Sequence, residues 1–242
     1  LEGVELMDLK SFPGREEDRY VLDVQNPEIV FTQGYNATPV FYNDIDNFML
    51  CSFTCSEDLI SLYNCFDDQE VKDLRLNAFF EAREDEQYKV AKVVEKVYDC
   101  FVIRSAELYL NKAEAEAMLD KAEAKQTIKT LLNNRFEGGI PDVDGLNEKD
   151  LISFIRDERR RELCFEAHRW FDLRRYAVSS KYPEKKSIRH ETYDKNGVLE
   201  GDYVLKPYGE DPAWVLPIPG YEIVYNQGNL VDNPQRVERK LE

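Results

Sequence analysis

The sequence predicts a mainly helical protein, and three observations carry that expectation. From Asp99 to about Leu119, the residues Ile103, Ala106, Leu110, Ala113 and Ala117 recur at i+3 and i+4 steps, which places them on one face of an α-helix. From about Lys121 to Arg135, Ala124, Ile128, Leu131 and Leu132 form the apolar stripe of a second helix. A long helical segment from about 148 to 178 follows, opened by Asn147 as an N-cap with Glu148 and Asp150 in an acidic first turn.

The other elements follow in chain order. Residues 1 to 50 read as strand and loop: Asn26-Pro-Glu-Ile-Val-Phe-Thr32 has the β-branched and aromatic content of a short strand, bounded by Pro27 and Gly34. The first two helices form a hairpin similar to one tetratricopeptide-type unit, with small residues along the seam, and Gly138-Gly139-Ile140-Pro141 ends it. Whether 148 to 178 is one helix or two is open at this level. Ile188 to Asp194 and Val198 to Leu205 flank Lys195-Asn196-Gly197, where Asn-Gly is a strong β-hairpin signal. Beyond Asp211, four prolines (Pro212, Pro217, Pro219, Pro234) break regular structure, while Trp214, Leu216, Ile218 and Tyr221 are apolar enough to dock. An extended C-terminal wrap over the helices is expected. The expected organisation is one domain over 1–242, with a strand, loop and helical lead-in over 1–98, a helical scaffold over 99–178, and a β-hairpin with its tail over 179–242.

Charges stand where the third helical segment should be apolar. On a 3.6-residue period Ile152, Ile155, Arg159, Glu162, Glu166, Arg169 and Leu173 share one side. An ion buried without a partner costs several kcal/mol, so the alternating signs at i+3 and i+4 (Arg159 with Glu162, Glu166 with Arg169) predict a paired network shared with neighbouring helices. The other reading is a solvated charged helix.

The same residues carry a family resemblance. Ile155-x-x-Glu158-Arg159-x-x-Glu162-Leu163-x-Phe165-Glu166-x-x-Arg169-Trp170-x-Asp172-Leu173-x-Arg175 resembles the signature of the SusD/RagB family. Two further segments agree in order: Arg104-Ser-Ala-Glu-Leu-Tyr-Leu-Asn-Lys-Ala-Glu-Ala115 upstream, and Trp214-Val-Leu-Pro-Ile-Pro219 with Glu222, Asn226, Leu230, Asn233 and Pro234 downstream. Ala167 departs from the pattern, since the family usually has glycine before its His-Arg-Trp run. The resemblance implies a helical scaffold with tetratricopeptide-like repeats, on which Glu158, Arg159, Glu162, Glu166, Arg169, Trp170 and Asp172 are structural signature residues. It implies a non-catalytic glycan-binding lipoprotein of the outer-membrane surface, without a cofactor, that delivers oligo- or polysaccharide to a SusC-like TonB-dependent transporter. Members are about twice this long and begin with a signal peptide and a lipid-modified cysteine, so the chain is expected to be the C-terminal portion, joined to a membrane only through an N-terminal anchor outside it. The alternatives are a helical protein–protein scaffold with no sugar site of its own and a glycoside hydrolase.

Composition excludes other classes. With 48 acidic against 32 basic residues, the formal charge of −16 opposes phosphate backbones and anionic lipid headgroups, so nucleic acid is not an expected partner. No run of 18 apolar residues exists to span a bilayer. Cys51, Cys55, Cys65, Cys100 and Cys164 are odd in number and lack a second paired zinc motif, so no metal is expected. Cys164, His168 and Asp172 lie at i, i+4 and i+8, but at ~1.5 Å per residue the outer two are roughly 12 Å apart along a helix, too far for one ion. Asp142-x-Asp144-Gly145 and Asp194-x-Asn196-Gly197 lack the remaining ligands of a calcium loop and read as turns. No nucleophile, metal or cofactor motif marks a catalytic residue.

Sugar recognition needs flat aromatic faces for the C–H side of a pyranose and planar polar groups for its hydroxyls, borne on exposed loops. Tyr35, Asn36, Phe41, Tyr42, Asn43 and Asp44 form the best such cluster. Trp170 and Trp214 are assigned to packing.

Overall fold

The fold is that of a computed structural model, which describes residues 3–17, 19–23, 25–33, 55–66, 71–82, 88–92, 101–194 and 196–234. The mainly helical expectation holds: the described residues contain seven α-helices and four small two-stranded sheets. The chain divides into two compact units, Leu1–Arg169 and Trp170–Glu242.

In the first unit, α1 (Glu57–Asn64) and the short α2 (Arg75–Phe79) precede a helix hairpin of α3 (Ser105–Met118) and α4 (Glu123–Leu132), followed by α5 (Glu148–Glu162). The seam of the hairpin is fully buried: Ala106, Leu110 and Ala113 of α3, and Ala124, Ile128, Leu131 and Leu132 of α4, have no exposed surface. Three alanines in that seam remove the bulk that would hold the helix axes apart. The turn between them is a Schellman motif, with Lys121 N–H bonded to Glu116 C=O at 2.8 Å and Asp120 N–H to Ala117 C=O at 3.2 Å. Asp120 takes the left-handed position (φ 54°) that glycine more often fills. Asn147 caps α5, its side chain accepting from Asp150 N–H at 3.0 Å.

The helix expected from Asp99 starts only at Ser105. Phe101–Arg104 is instead a strand, β5, paired antiparallel with β1 (Ile29–Gln33), so that Ile29 faces Arg104 and Gln33 faces Phe101. A β-branched run with a pairing partner prefers the ladder to a helix start, and Ile103, read as part of the helical seam, is 41% exposed on this ribbon. The pairs β2 (Lys72–Asp73) with β6 (Phe136–Glu137) and β3 (Phe80–Ala82) with β4 (Tyr88–Val90) complete the unit's strands. A separate aromatic core gathers Tyr63, Phe79 and Phe80 with Leu59, Val21 and Cys164.

The long helical segment from 148 to 178 is broken. After α5, Phe165 and Ala167 adopt left-handed backbone (φ 61° and 63°) on either side of Glu166, and α6 runs from Arg169 to Ala177. The second unit continues with the hairpin β7 (Ile188–Tyr193) and β8 (Leu199–Leu205). Between the strands, Asp194 Oδ1 accepts both Asn196 N–H and Val198 N–H at 2.8 Å and closes the connection. The tail holds a 3-10 turn at Pro212–Trp214 and a short helix, α7 (Gly220–Tyr225), none of whose residues is buried. Of the four apolar residues expected to dock, Trp214 is buried, Ile218 is half-buried, and Leu216 and Tyr221 are about two-thirds exposed.

Candidate functional site

The most connected constellation among the described residues is a buried ionic cluster built on α5. Glu158 and Glu162 are one turn apart on its inner face, and the turn that follows carries Glu166 inward beside them. Glu162 is the centre. Its Oε1 accepts from Arg104 at 2.7 Å and from Arg135 at 3.1 Å, and its Oε2 accepts from Arg135 at 2.9 Å and Arg75 at 3.1 Å. Glu158 is held by Arg75 at 2.6 Å and Arg161 at 2.8 Å. Glu166 accepts from Arg104 through both oxygens, at 2.8 Å each, and from Lys92.

Distant segments supply the remaining charges. Glu28, just before β1, accepts from Arg135 at 2.6 Å, from Arg104 at 2.8 Å and from the backbone N–H of Met7 at 2.8 Å. Asp73 holds Arg75 in place with bonds of 2.9 and 2.7 Å. The Lys92 ammonium lies 4.1 Å from the centre of the Phe79 ring and donates to the terminal carbonyls of Glu162 and Cys164 at 2.7 and 3.1 Å, where the α5 dipole is negative. Arg161 lies over the rings of Phe66 and Phe154 at 4.9 and 5.5 Å. Five cations (Arg75, Lys92, Arg104, Arg135, Arg161) thus meet five carboxylates (Glu28, Asp73, Glu158, Glu162, Glu166), all with side chains nearly removed from solvent.

Electrostatics follow from this balance. Burial alone would raise the Glu162 carboxyl, but Arg135, Arg104 and Arg75 outweigh it and hold it well below the usual carboxylate range. Glu158, against burial, is lowered by Arg75 and Arg161, and Glu166 by Arg104 and Lys92. Groups fixed in the charged form and bonded at both oxygens organise a fold; a general acid needs the opposite shift.

The other signature residues lie around this cluster. Arg159 faces α3, donating to Asn111 Oδ1 at 2.8 Å and lying 3.7 Å from Glu107. The network is thus shared with other segments, Arg159 lying against α3 and Glu162 against Arg75, Arg104 and Arg135, while Arg161 and Glu158 pair at 2.8 Å within α5 itself. Asp172 is buried and accepts from Arg175 at 2.9 Å. Arg169, half-buried, opens α6. Trp170 stacks on Trp214 with ring centres 4.4 Å apart.

Cys164, His168 and Asp172 have separate surroundings. The Cys164 thiol lies 3.4 Å from the Tyr63 hydroxyl, and burial pushes its pKa up; His168 approaches Glu107 at 3.8 Å. At the Asp142–Gly145 turn, Asp142 Oδ1 accepts the backbone N–H of Asp144 at 2.9 Å, and the Lys125 ammonium bonds the carbonyls of Asp144 and Leu146 at 2.6 and 2.8 Å. The sugar-site candidates Tyr35, Asn36, Phe41, Tyr42, Asn43 and Asp44 lie outside the described residues, as do Cys51 and Cys100. Glu28, Asp73, Arg75, Lys92, Arg104 and Arg135 escaped the sequence reading as cluster members. A signal was present for two of them: Arg104 ends the apolar run Phe101-Val-Ile, and Lys92 follows Val90-Ala91.

Comparison with known proteins agrees with the signature. The model of the SusD family matches residues 83–235. The SusD-like protein P2 of Formosa agariphila is 28% identical over 142 residues, 54% of this chain and 25% of that protein. The SusD-like protein P38 of the same organism is 40% identical over 79 residues, 30% of this chain and 16% of that one. Among solved structures, a SusD superfamily protein from Bacteroides thetaiotaomicron superposes with a TM-score of 0.63 at 21% identity, covering 96% of this chain and 53% of that one. A SusD-like carbohydrate-binding protein from Bacteroides vulgatus gives 0.54 at 18%, covering 94% and 52%. The chain spans about half the length of these solved structures. Because the family model covers well over half of the chain, and covers the whole of α5 with the turn that brings Glu166 inward, the chain belongs to the SusD family.

Proposed function

We propose that the chain is part of a non-catalytic cell-surface protein that captures oligo- or polysaccharide and passes it to a SusC-like TonB-dependent transporter. Family membership carries this reading. The carbohydrate-binding description of the solved Bacteroides vulgatus relative supports it at the level of ligand class. The ionic cluster supports the non-catalytic part: Glu158, Glu162 and Glu166 are ionised, buried and committed to arginines and a lysine. Placement at the outer membrane through a lipid anchor in a longer parent is part of the same proposal. Among the described residues no helix is long and apolar enough to cross a membrane.

The sugar-contacting residues in this proposal are Tyr35, Asn36, Phe41, Tyr42, Asn43 and Asp44, which follow β1 in the chain. Tyr35→Ala and Tyr42→Ala are each expected to weaken glycan binding by about 1–3 kcal/mol, the scale of stacking on an aromatic platform, with an unchanged melting temperature. Calorimetric titration measures this, and unchanged affinity in both variants would reject these residues. Co-purification with a SusC-like transporter tests the delivery step; capture of that transporter with no response to any glycan would favour the scaffold reading instead.

A further inference from the structure

The geometry points to a second sugar contact in the C-terminal unit, a subsite for a neutral sugar residue in a cavity of about 410 Å³ lined by Tyr208, Glu210, Asp211, Pro212, Trp214 and Val215. It rests on the glycan-binding reading above but uses none of the residues assigned there. The volume lies within the ~300–1,000 Å³ range of small-molecule sites.

The aromatic wall is rigid. Trp214 is buried, stacked on Trp170, and its indole N–H donates to Lys206 C=O at 2.7 Å. Tyr208 stands edge-on to Trp214, at 5.9 Å and 87°, with the Arg174 guanidinium 5.2 Å from the centre of its ring. Being half-buried, Tyr208 still offers surface, and its hydroxyl makes no hydrogen bond to the described residues. A ring in contact with both an indole and a guanidinium loses little freedom when a ligand arrives, which favours binding.

The lining selects the ligand. Tyr208, Pro212 and Val215 supply an apolar surface that suits the C–H face of a pyranose, while the Tyr208 hydroxyl and the half-exposed Glu210 carboxylate can take its hydroxyls. Carboxylate and aromatic rings would also attract a cation, but Lys185, 3.1 Å from Glu210, and Arg174, over Tyr208, already fill those positions. A uronate or sulfated sugar would bring its charge against Glu210. A neutral sugar meets no such conflict.

The two tryptophans of the sequence, Trp170 and Trp214, both belong to this cluster, so intrinsic fluorescence reports on it selectively. The test titrates the protein with maltohexaose, xylohexaose, laminarihexaose, mannohexaose and oligogalacturonate, following tryptophan emission and heat in parallel. The expected result is a saturable emission change with at least one neutral oligosaccharide, with Kd raised about tenfold by Tyr208→Ala and about threefold by Glu210→Gln. Glu210→Gln keeps the shape of the rim, so it remains informative if Tyr208→Ala unfolds. Heat of binding with no emission change, unaffected by both variants, would overturn this subsite and leave the glycan-binding reading standing. An emission response to oligogalacturonate alone would overturn the neutral-sugar assignment. Absence of heat and emission change across the whole panel would overturn both.

Discussion

Glu28 and Glu162, one ahead of a strand and the other at the end of a helix, are bridged by the same two arginines. Arg104 touches them at 2.8 and 2.7 Å, and Arg135 at 2.6 and 3.1 Å. Neither carboxylate could be buried without both cations, so the entry to β1, the end of β5, the end of α4 and the end of α5 are fixed by one set of charges. Coulomb attraction in a medium of low dielectric constant offsets the desolvation of each ion only while the set is complete.

Removal of the central carboxylate therefore has a large effect. Glu162→Ala strands Arg75, Arg104 and Arg135 with one fewer carboxylate, and is expected to cost about 3–5 kcal/mol in urea unfolding. A loss under about 0.5 kcal/mol would be the behaviour of a solvated pair and would contradict the burial described here.

Acid should unfold the protein steeply. Arg135, Arg104 and Arg75 depress Glu162 in the folded state despite burial, and Glu158 and Glu166 are lowered as well. For a depressed carboxylate the stability it confers is fully present above its unfolded pKa, about 4.3, and is lost as pH falls through its lower folded value. Chemical denaturation across pH 2–7 is expected to give a plateau above about pH 5 and a fall below about pH 4.3. Stability that rose on acidification would have the wrong sign for this network.

Ala167 holds a left-handed conformation at φ 63°. An alanine there carries about 1–2 kcal/mol of steric cost, and glycine removes it at an entropic cost of about 0.5–1 kcal/mol. Ala167→Gly is expected to stabilise by about 0.5–1 kcal/mol in thermal or urea unfolding. Destabilisation would show that the turn around Glu166 is not strained at this position.

Much of the fold was legible before the structure. The α3–α4 seam was readable because Ala106, Leu110, Ala113, Ala124 and Ile128 obey one period, and Asn147 announced α5 by its cap. The break after Leu163 was not readable: Phe165 and Ala167 are not residues that favour left-handed backbone, and what brings Glu166 inward is its bonding to Lys92 and Arg104, far away in sequence. Ile103 misled for a similar reason, since its i+3 step to Ala106 fits a helix while its pairing across from Phe31 on β1 decides for a strand. The charged face of α5 could be read as paired, but Arg75, Arg104 and Arg135 come from segments that no local period connects. The sugar contacts proposed at Tyr35–Asp44 rest on residue type alone.

The central claim, that this protein binds glycan and does not cut it, is tested most directly by calorimetric titration against an oligosaccharide panel with chromatography of the same samples afterwards. The account predicts saturable binding of at least one glycan, recovered at its original length. Shortened products whose formation is abolished by a single carboxylate substitution would contradict it.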